Sequence, residues 1–439
     1  MIRSLVVLSI LTLAAGCSES SGGGGGTGGG GGAGGGEPPG GVAVTVDTFN
    51  VALAGAFIPF EAERRPYIVE AIAASDADIL CLQEVWDQTD KVAIKDEAAE
   101  TYPHTAFFED NLDTPIDDAT DQDGQVPPAP TEAPCAGEPL TSDMNALVDC
   151  LRDNCSTIPD SDEGQTTSEA CAAASCQLEA VPLLFGDAKA QRCYACLTTQ
   201  LPTETFADMR SRCPTVVNQD LAFQGQNGVM ILSRHPLKDV ENWVIPGTWN
   251  RRTILSATAE LPDGAELDVH CNHLTPIFTS PFFPYTGQYG DGTNTASAWQ
   301  AEQELQAPKL INRVTEISGD RPAVILGDLN AGHAYPEQEI VAEGEPTLDL
   351  LEAAYDPAYT ADYTPQCTFC STNPVANPGA DPMVTSEWID HILLNTLSSD
   401  SVVSTERVYD EDVVPVGDEM VPLSDHFGMR SVITVPAGQ

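Results

Sequence analysis

Asp78-Ile-Leu-Cys-Leu-Gln-Glu-Val85, followed by Trp86, is the stretch on which the reading of this chain turns. Ile79 to Leu82 are consecutive apolar residues bounded by Asp78, the pattern of a strand buried on both faces. Glu84 stands at the end of that run. A carboxylate there is poorly explained as a solvated surface charge, because the strand that carries it is deep in the protein.

Working outward, the same arrangement recurs. Thr48-Phe49-Asn50, Asn272-His273-Leu274, Gly327-Asp328-Leu329-Asn330 and Ser424-Asp425-His426 each set polar groups at the end of an apolar run, and Trp388-Ile389-Asp390-His391 adds another carboxylate. A lone Gly-Asp-x-Asn or Ser-Asp-His arises by chance, but the ordered set does not. Residues 42–49 alternate apolar and polar, as a half-buried strand does. Residues 61–74 form a helical stretch with Ile68 and Ile72 on one face. Further strands are expected at 229–233, 253–261, 267–271, 323–326, 389–394 and 429–435. A helix is expected at 296–317, with Leu310, Val314 and Ile317 on one stripe. Many short strands broken by a few helices indicate an α/β architecture of two packed sheets with helices outside. No internal repeat is visible.

The 439 residues are enough for one large domain or two modest ones. Residues 1–16 read as an export signal: Arg3 gives a positive start, residues 5–13 are apolar, and Ala14-Ala15-Gly16-Cys17 is a small-residue cleavage site. An ending in cysteine resembles a bacterial lipoprotein signal, with Cys17 as the lipidated residue, although Ala14 stands where leucine is more usual. Ordinary secretory cleavage is the alternative. Residues 17–41 are a glycine-rich tether that buries nothing; about 24 residues of such coil span roughly 25–30 Å on average. No later segment is long and apolar enough to span a bilayer. The expected product is an exported bacterial lipoprotein, anchored at the outer membrane or cell surface or released from it.

The formal net charge of −47 comes from 66 acidic against 19 basic residues. It favours solubility and a high local concentration of divalent cations. It disfavours polyanionic partners, which are held by lysines and arginines that displace counterions, and no basic run is present. Thirteen cysteines in an exported chain point to disulfides. Eight of them lie between Cys135 and Cys213, in a region of Pro, Asp, Ser, Thr and Cys that shows no strand pattern. Residues 134–214 are therefore expected to form a cysteine-rich, mainly helical insertion in a larger domain of residues 42–437. A structural zinc cluster is the rival reading, through Cys193-Tyr-Ala-Cys196; the compartment favours disulfides. Cys367 and Cys370 are expected to close a loop, whereas Cys81 and Cys271 read as buried small hydrophobes.

The six polar segments together resemble the endonuclease/exonuclease/phosphatase superfamily, which includes deoxyribonuclease I, neutral sphingomyelinases and inositol polyphosphate 5-phosphatases. The resemblance covers roughly residues 42–110 and 218–437. It implies a four-layered α/β sandwich and metal-dependent hydrolysis of a phosphodiester. The chemistry asks for these residue types, since water must be made nucleophilic and the charge developing on phosphorus neutralised. By the resemblance Glu84 is the primary metal ligand, Asn50 beside it belongs to the same metal set, and Asp425 touches the metal directly or through water. The expected ion is Mg2+, with Mn2+ or Ca2+ as alternatives. His426 is the expected general base, oriented by Asp390. His273 donates to a phosphate oxygen, Asp328 and Asn330 position the water and stabilise the transition state, and Asn330 also contacts the phosphate. Asn227, in Gln226-Asn227-Gly228, matches a phosphate-contacting asparagine; a turn residue in Asn-Gly is the competing reading.

Among substrates, Gln83-Glu84-Val85-Trp86 and Asn272-His273-Leu274 resemble neutral sphingomyelinases, as residues 363–367 do loosely. Ala331-Gly332 and His391 depart from the inositol phosphatases, and His273 departs from the abasic-site endonucleases. The aromatic run from Pro276 to Tyr285, followed by Tyr289, is suited either to a lipid interface or to packing under its own loop. A phospholipid phosphodiesterase is the first expectation, acting beside a membrane to which Cys17 would anchor it. An extracellular endonuclease of the deoxyribonuclease I type, with nucleic acid as substrate, is the second. A catalytically inactive surface binding module is the third. No feature of the chain specifies an oligomeric state.

Overall fold

The structure, a computed structural model, describes residues 41–108, 131–167, 169–198, 204–217, 222–279, 283–286 and 296–437. The signal segment, Cys17, nearly all of the tether, residues 280–282 and Tyr289 lie outside the described residues.

In chain order the strands are β1 (Gly41–Leu53), β2 (Ile79–Val85), β3 (His104–Ala106), β4 (Met230–Ser233), β5 (Leu237–Ile245), β6 (Arg252–Glu260), β7 (Glu266–His273), β8 (Ala323–Asp328), β9 (Asp356–Pro357), β10 (Asp390–Asn395), β11 (Val402–Val408), β12 (Val414–Val416), β13 (Glu419–Val421) and β14 (Gly428–Pro436). The helices are α1 (Glu61–Ala74), α2 (Gln88–Glu97), α3 (Leu140–Asn154), α4 (Glu169–Ser175), α5 (Gln177–Leu184), α6 (Ala188–Thr198), α7 (Phe206–Arg212), α8 (Ala296–Ser318) and α9 (Glu345–Glu352). Two six-stranded mixed sheets result, in the orders β11-β14-β1-β2-β4-β3 and β5-β6-β7-β8-β10-β9.

One apolar cluster, containing Val44, Val46, Ile79, Ile231, Leu255, Val269, Leu326 and Ile433, fills the space between the sheets. The opposite face of the first sheet carries Phe49, Leu80 and Leu82 against Ile68 and Ile72 of α1. The outer face of the second carries Ile254, Ile325 and Leu393 against Leu310 and Val314 of α8. Helix, sheet, sheet and helix make the four-layered sandwich expected from the sequence. Because both faces of the central strands are covered, β2 and β8 read as unbroken apolar runs, whereas β1 alternates like a half-buried strand yet is buried on both faces from Val46 onward, with Asp47 and Thr48 inside.

Register explains why the polar segments meet. Strands β7 and β8 run parallel, so their ends coincide, with His273 paired to Asp328. Strand β10 runs antiparallel to β8, which sets its first residue, Asp390, opposite Asp328. In the other sheet β1 and β2 are parallel, pairing Asn50 with Gln83. Strand β14 is antiparallel to β1, so His426, two residues before it starts, lies at the same rim.

Cys81 and Cys271 are not the independent buried thiols expected from their apolar strands. They are joined by a disulfide with Cα atoms 5.5 Å apart. The residues lie on strands of opposite sheets that face each other across the core, which spacing along the chain does not reveal. Helices α3 to α7 are stapled by Cys135–Cys193, Cys150–Cys176, Cys155–Cys171 and Cys196–Cys213. The zinc alternative fails because Cys193 and Cys196 each hold a different partner. Cys367 and Cys370 close a three-residue step, as expected.

Candidate active site

Glu84, His273, Asp328, Asn330, Asp425 and His426, drawn from residues up to 342 apart, line one cavity of about 430 Å³. Asp390 and Asn50 stand directly behind this lining. His426 Nδ1 lies 2.8 Å from Asp390 Oδ2. That contact fixes the imidazole with its proton on Nδ1 and turns Nε2 toward Asp328 Oδ2, 3.9 Å away. Asp390 is itself held by the Thr368 hydroxyl, which accepts from the Ile389 and Asp390 N–H groups at 3.1 and 3.2 Å. Thr368 also accepts from Phe427 N at 2.8 Å, linking the two segments that carry the dyad.

Asp328 is buried and doubly satisfied. Its Oδ2 accepts from Asn50 Nδ2 at 2.9 Å, and its Oδ1 accepts from Asn330 N at 2.9 Å. Burial and the neighbouring Asp390 push its carboxyl up to about 7. The Asn330 amide donates to Leu274 O at 2.9 Å, tying the end of β8 to the end of β7. His273 Nε2 lies 3.4 Å from Asp328 Oδ2 and 4.0 Å from Glu84 Oε1. Burial, then Arg252 and His426, hold His273 well below the usual histidine range, so it is neutral at physiological pH. For His426, burial pulls the same way, but Asp390 and Asp328 outweigh it and hold the imidazole well above that range.

Glu84 is raised by burial and then by Asp425, which faces it across the cavity. The Asn50 amide is within hydrogen-bonding reach of Glu84 and counters part of the shift. Two carboxylates turned toward a shared space repel each other, and a hard divalent cation between them would relieve the repulsion. Glu84 and Asp425 thus fit the oxygen donor set of such an ion. Asp328, Asp390 and His426 converge more tightly, with ligand atoms within 4.8 Å of one another. The His426 nitrogen involved with Asp390 is already committed to that carboxylate, so this triplet is better understood as a hydrogen-bonded dyad beside a third acid.

Not every residue singled out from sequence faces the cavity. Asn50 spans Asp328 and its own turn, with Oδ1 accepting from Ala52 N at 3.0 Å. Asn227 is buried and absent from the lining; its Oδ1 accepts from Val229 N at 3.2 Å, the local bond of a turn asparagine. Arg252 was not anticipated. It lines the cavity fully buried, lies 5.9 Å from the centre of the Trp86 ring, and leaves Nη1 without a hydrogen-bond partner. Its signal was a pair of arginines opening an apolar strand in a chain with only 19 basic residues. Arg64 was also missed. From α1 it donates to the carbonyls of Pro59, Val51, Ala52 and Leu423 behind the acid cluster.

A family model described as Endonuclease/Exonuclease/phosphatase family matches residues 48–426. Similar solved structures include a sphingomyelinase C from Streptomyces griseocarneus, at 15% identity and a TM-score of 0.46 over 89% of this chain and 99% of that one. A Staphylococcus aureus beta toxin mutant with bound magnesium ions gives 13%, 0.46, 89% and 99%. An endonuclease/exonuclease/phosphatase from Beutenbergia cavernae gives 16%, 0.42, 90% and 72%. At these identities and scores the likenesses carry no argument about substrate. No curated protein matches the chain.

Proposed function

The chain belongs to the endonuclease/exonuclease/phosphatase family, and on that premise we propose that it is a magnesium-dependent phosphodiester hydrolase, with a phospholipid of the sphingomyelin type as substrate. The observation that carries the proposal is the convergence of Glu84, His273, Asp328, Asp425 and the Asp390–His426 dyad on one cavity. A cation held by Glu84 and Asp425, with Mn2+ or Ca2+ as alternatives to Mg2+, would supply Lewis-acid stabilisation of charge on the phosphate. A cation beside Asp425 would offset part of the carboxylate field that raises His426; with the imidazole neutral, Nε2 takes the proton of the attacking water while Asp390 holds Nδ1–H and stabilises the imidazolium. Neutral His273 donates an N–H to a non-bridging phosphate oxygen. Asp328 and Asn330 position the water and keep the ends of β7 and β8 in register. Asn227 contributes by holding the turn before β4 rather than by contacting phosphate.

Phospholipid ranks above nucleic acid because the charge of −47 opposes a polyanion. An endonuclease of the deoxyribonuclease I type is the second reading, favoured by the buried Arg252 in the cavity. Six disulfides fit an exported protein, and no helix among the described residues is long and apolar enough to cross a membrane. Attachment through lipidated Cys17 and a tether of residues 17–41, with residues 134–214 inserted in a catalytic domain of 42–437, completes the proposal. The test incubates purified protein and Mg2+ with sphingomyelin vesicles and, separately, plasmid DNA. Phosphocholine release that disappears in Glu84→Ala and His426→Ala is expected. Nicked plasmid with intact lipid would move the assignment to the nuclease. No hydrolysis of any phosphodiester with Mg2+, Mn2+ or Ca2+ would leave only the binding module.

A further inference from the structure

The cavity has two chemically different ends, and the order of groups along it is set by contacts. Phe369 packs against His426 with ring centres 5.4 Å apart. Next come Asp328, His273 and Glu84, in steps of 3.9, 3.4 and 4.0 Å. The His273 ring then lies 6.1 Å from Trp86, which stacks on Phe223 at 4.6 Å. Ala222 N donates to Trp249 O at 2.7 Å, which brings Trp249 beside that stack. Beyond it, Phe283 meets Trp249 at 5.4 Å, Phe57 at 5.8 Å and Phe278 at 4.2 Å. Phe57, Phe278 and Phe283 are only partly buried, so these rings line open space as well as packing on one another.

These rings form a supported wall. Glu302 of α8 is buried and fixes the loops that carry them. It accepts from Thr248 N and Thr248 Oγ1, from Thr275 Oγ1 at 2.8 Å and from Tyr285 OH at 3.1 Å. The same apolar cluster continues into the disulfide-stapled helices, through Leu147, Leu183 and Phe206. The cysteine-rich region therefore packs behind the wall and braces it.

In an in-line displacement at phosphorus, the leaving oxygen departs opposite the attacking water. The water is activated at His426 Nε2, so the leaving alcohol points away from His426, past Glu84, toward Trp86 and Phe283. From this we infer that the aromatic end is a leaving-group subsite, which takes the alkyl chain of one alcohol esterified to the phosphate. The inference rests on the phosphodiesterase assignment and adds which arm of the diester the protein encloses. Hydrolysis breaks the phosphorus–oxygen bond to that alcohol. The water's oxygen goes to phosphorus and its proton to His426; the alkoxide leaves as the alcohol by taking a proton from solvent water at the partly open aromatic end, and His426 returns its proton to solvent to complete the cycle. The volume of about 430 Å³ has room for on the order of ten or more water-sized groups. Methylenes beyond the phosphate can therefore be buried.

The test uses soluble O-alkyl phosphocholine diesters from methyl to octyl, each below its micelle concentration, with Mg2+ and the full protein. Phosphocholine release is followed. Each added methylene is expected to raise kcat/KM by about fourfold over the first few members, the value of one buried CH2. Phe283→Ala and the milder Phe283→Leu are each expected to lower the octyl-to-methyl ratio, the alanine variant by tenfold or more. Equal cleavage of methyl and octyl esters by the unaltered protein would overturn the subsite while leaving the hydrolase assignment standing. A ratio unchanged in both Phe283 variants would overturn it too. No cleavage of the methyl ester, or of any other, would remove the hydrolase assignment and the subsite with it.

Discussion

Replacing both Cys81 and Cys271 with alanine removes the covalent tie between the sheets, and the loss can be worked out from the chain. The bridge closes a loop of 190 residues. Loop-closure entropy for that length amounts to about 5 kcal/mol at 25 °C. The Cys135–Cys193 and Cys196–Cys213 bridges lie inside the loop and shorten it by spans of 58 and 17 residues. The dependence is logarithmic, so the figure drops by only about half a kcal/mol. Both cysteines are fully buried, and the vacated sulfur volume adds on the order of 1 kcal/mol on each side. Because domains are stable by only about 5–15 kcal/mol, the variant is expected to sit near its unfolding threshold. Equilibrium urea unfolding of the two proteins, with the other five bridges intact, reads the difference from midpoint and slope. Hydrolysis below the transition is expected to stay within tenfold, since the shared core still presses the sheets together. A stability loss under 1 kcal/mol would refute the reasoning, because it would mean that the bridge constrains neither state.

Three further outcomes are expected. Asp390→Asn should cost 10²–10⁴ in kcat. It should also shift the acid limb of the pH profile downward, because Asp390 is the strongest group raising His426; an unshifted limb would count against the dyad. Chelating the cation should raise the His426 pKa, since Asp328 and Asp425 then act on the imidazole unshielded, and imidazole NMR titrations with and without Mg2+ would expose an error if they coincide. Arg64→Met leaves four carbonyls without their donor and should cost on the order of 3–5 kcal/mol, measured by denaturation; a loss below 1 kcal/mol would show that these bonds are replaced by water.

What could be read from the residues was what is local and buried. Helix α1 and strands β2 and β8 announce themselves through spaced isoleucines or unbroken apolar runs, and β14 through its alternation of buried and half-buried residues. Strand β5 does not, because its register shifts between Lys238 and Glu241 around Asp239, whose φ is 50°, and the shift spoils the alternation. Strand β11 is a half-exposed edge with no apolar face to display. The polar set at the rim was legible because each member stands at, or within a few residues of, one end of a buried strand. Arg252 escaped because a charge beginning a strand looks like a solvated edge until the opposite sheet covers it. The Cys81–Cys271 bridge is a relation between two sheets, and no pattern within either strand encodes it.

Glu84 and Asn330 both adopt left-handed backbone, with φ of 59° and 47°. Asparagine tolerates this region, whereas glutamate does so at a cost of about 1–2 kcal/mol relative to glycine. Glycine at position 84 would relieve that strain and at the same time remove a carboxylate from the cavity wall, so stability and the acidic donor set are opposed at this one position.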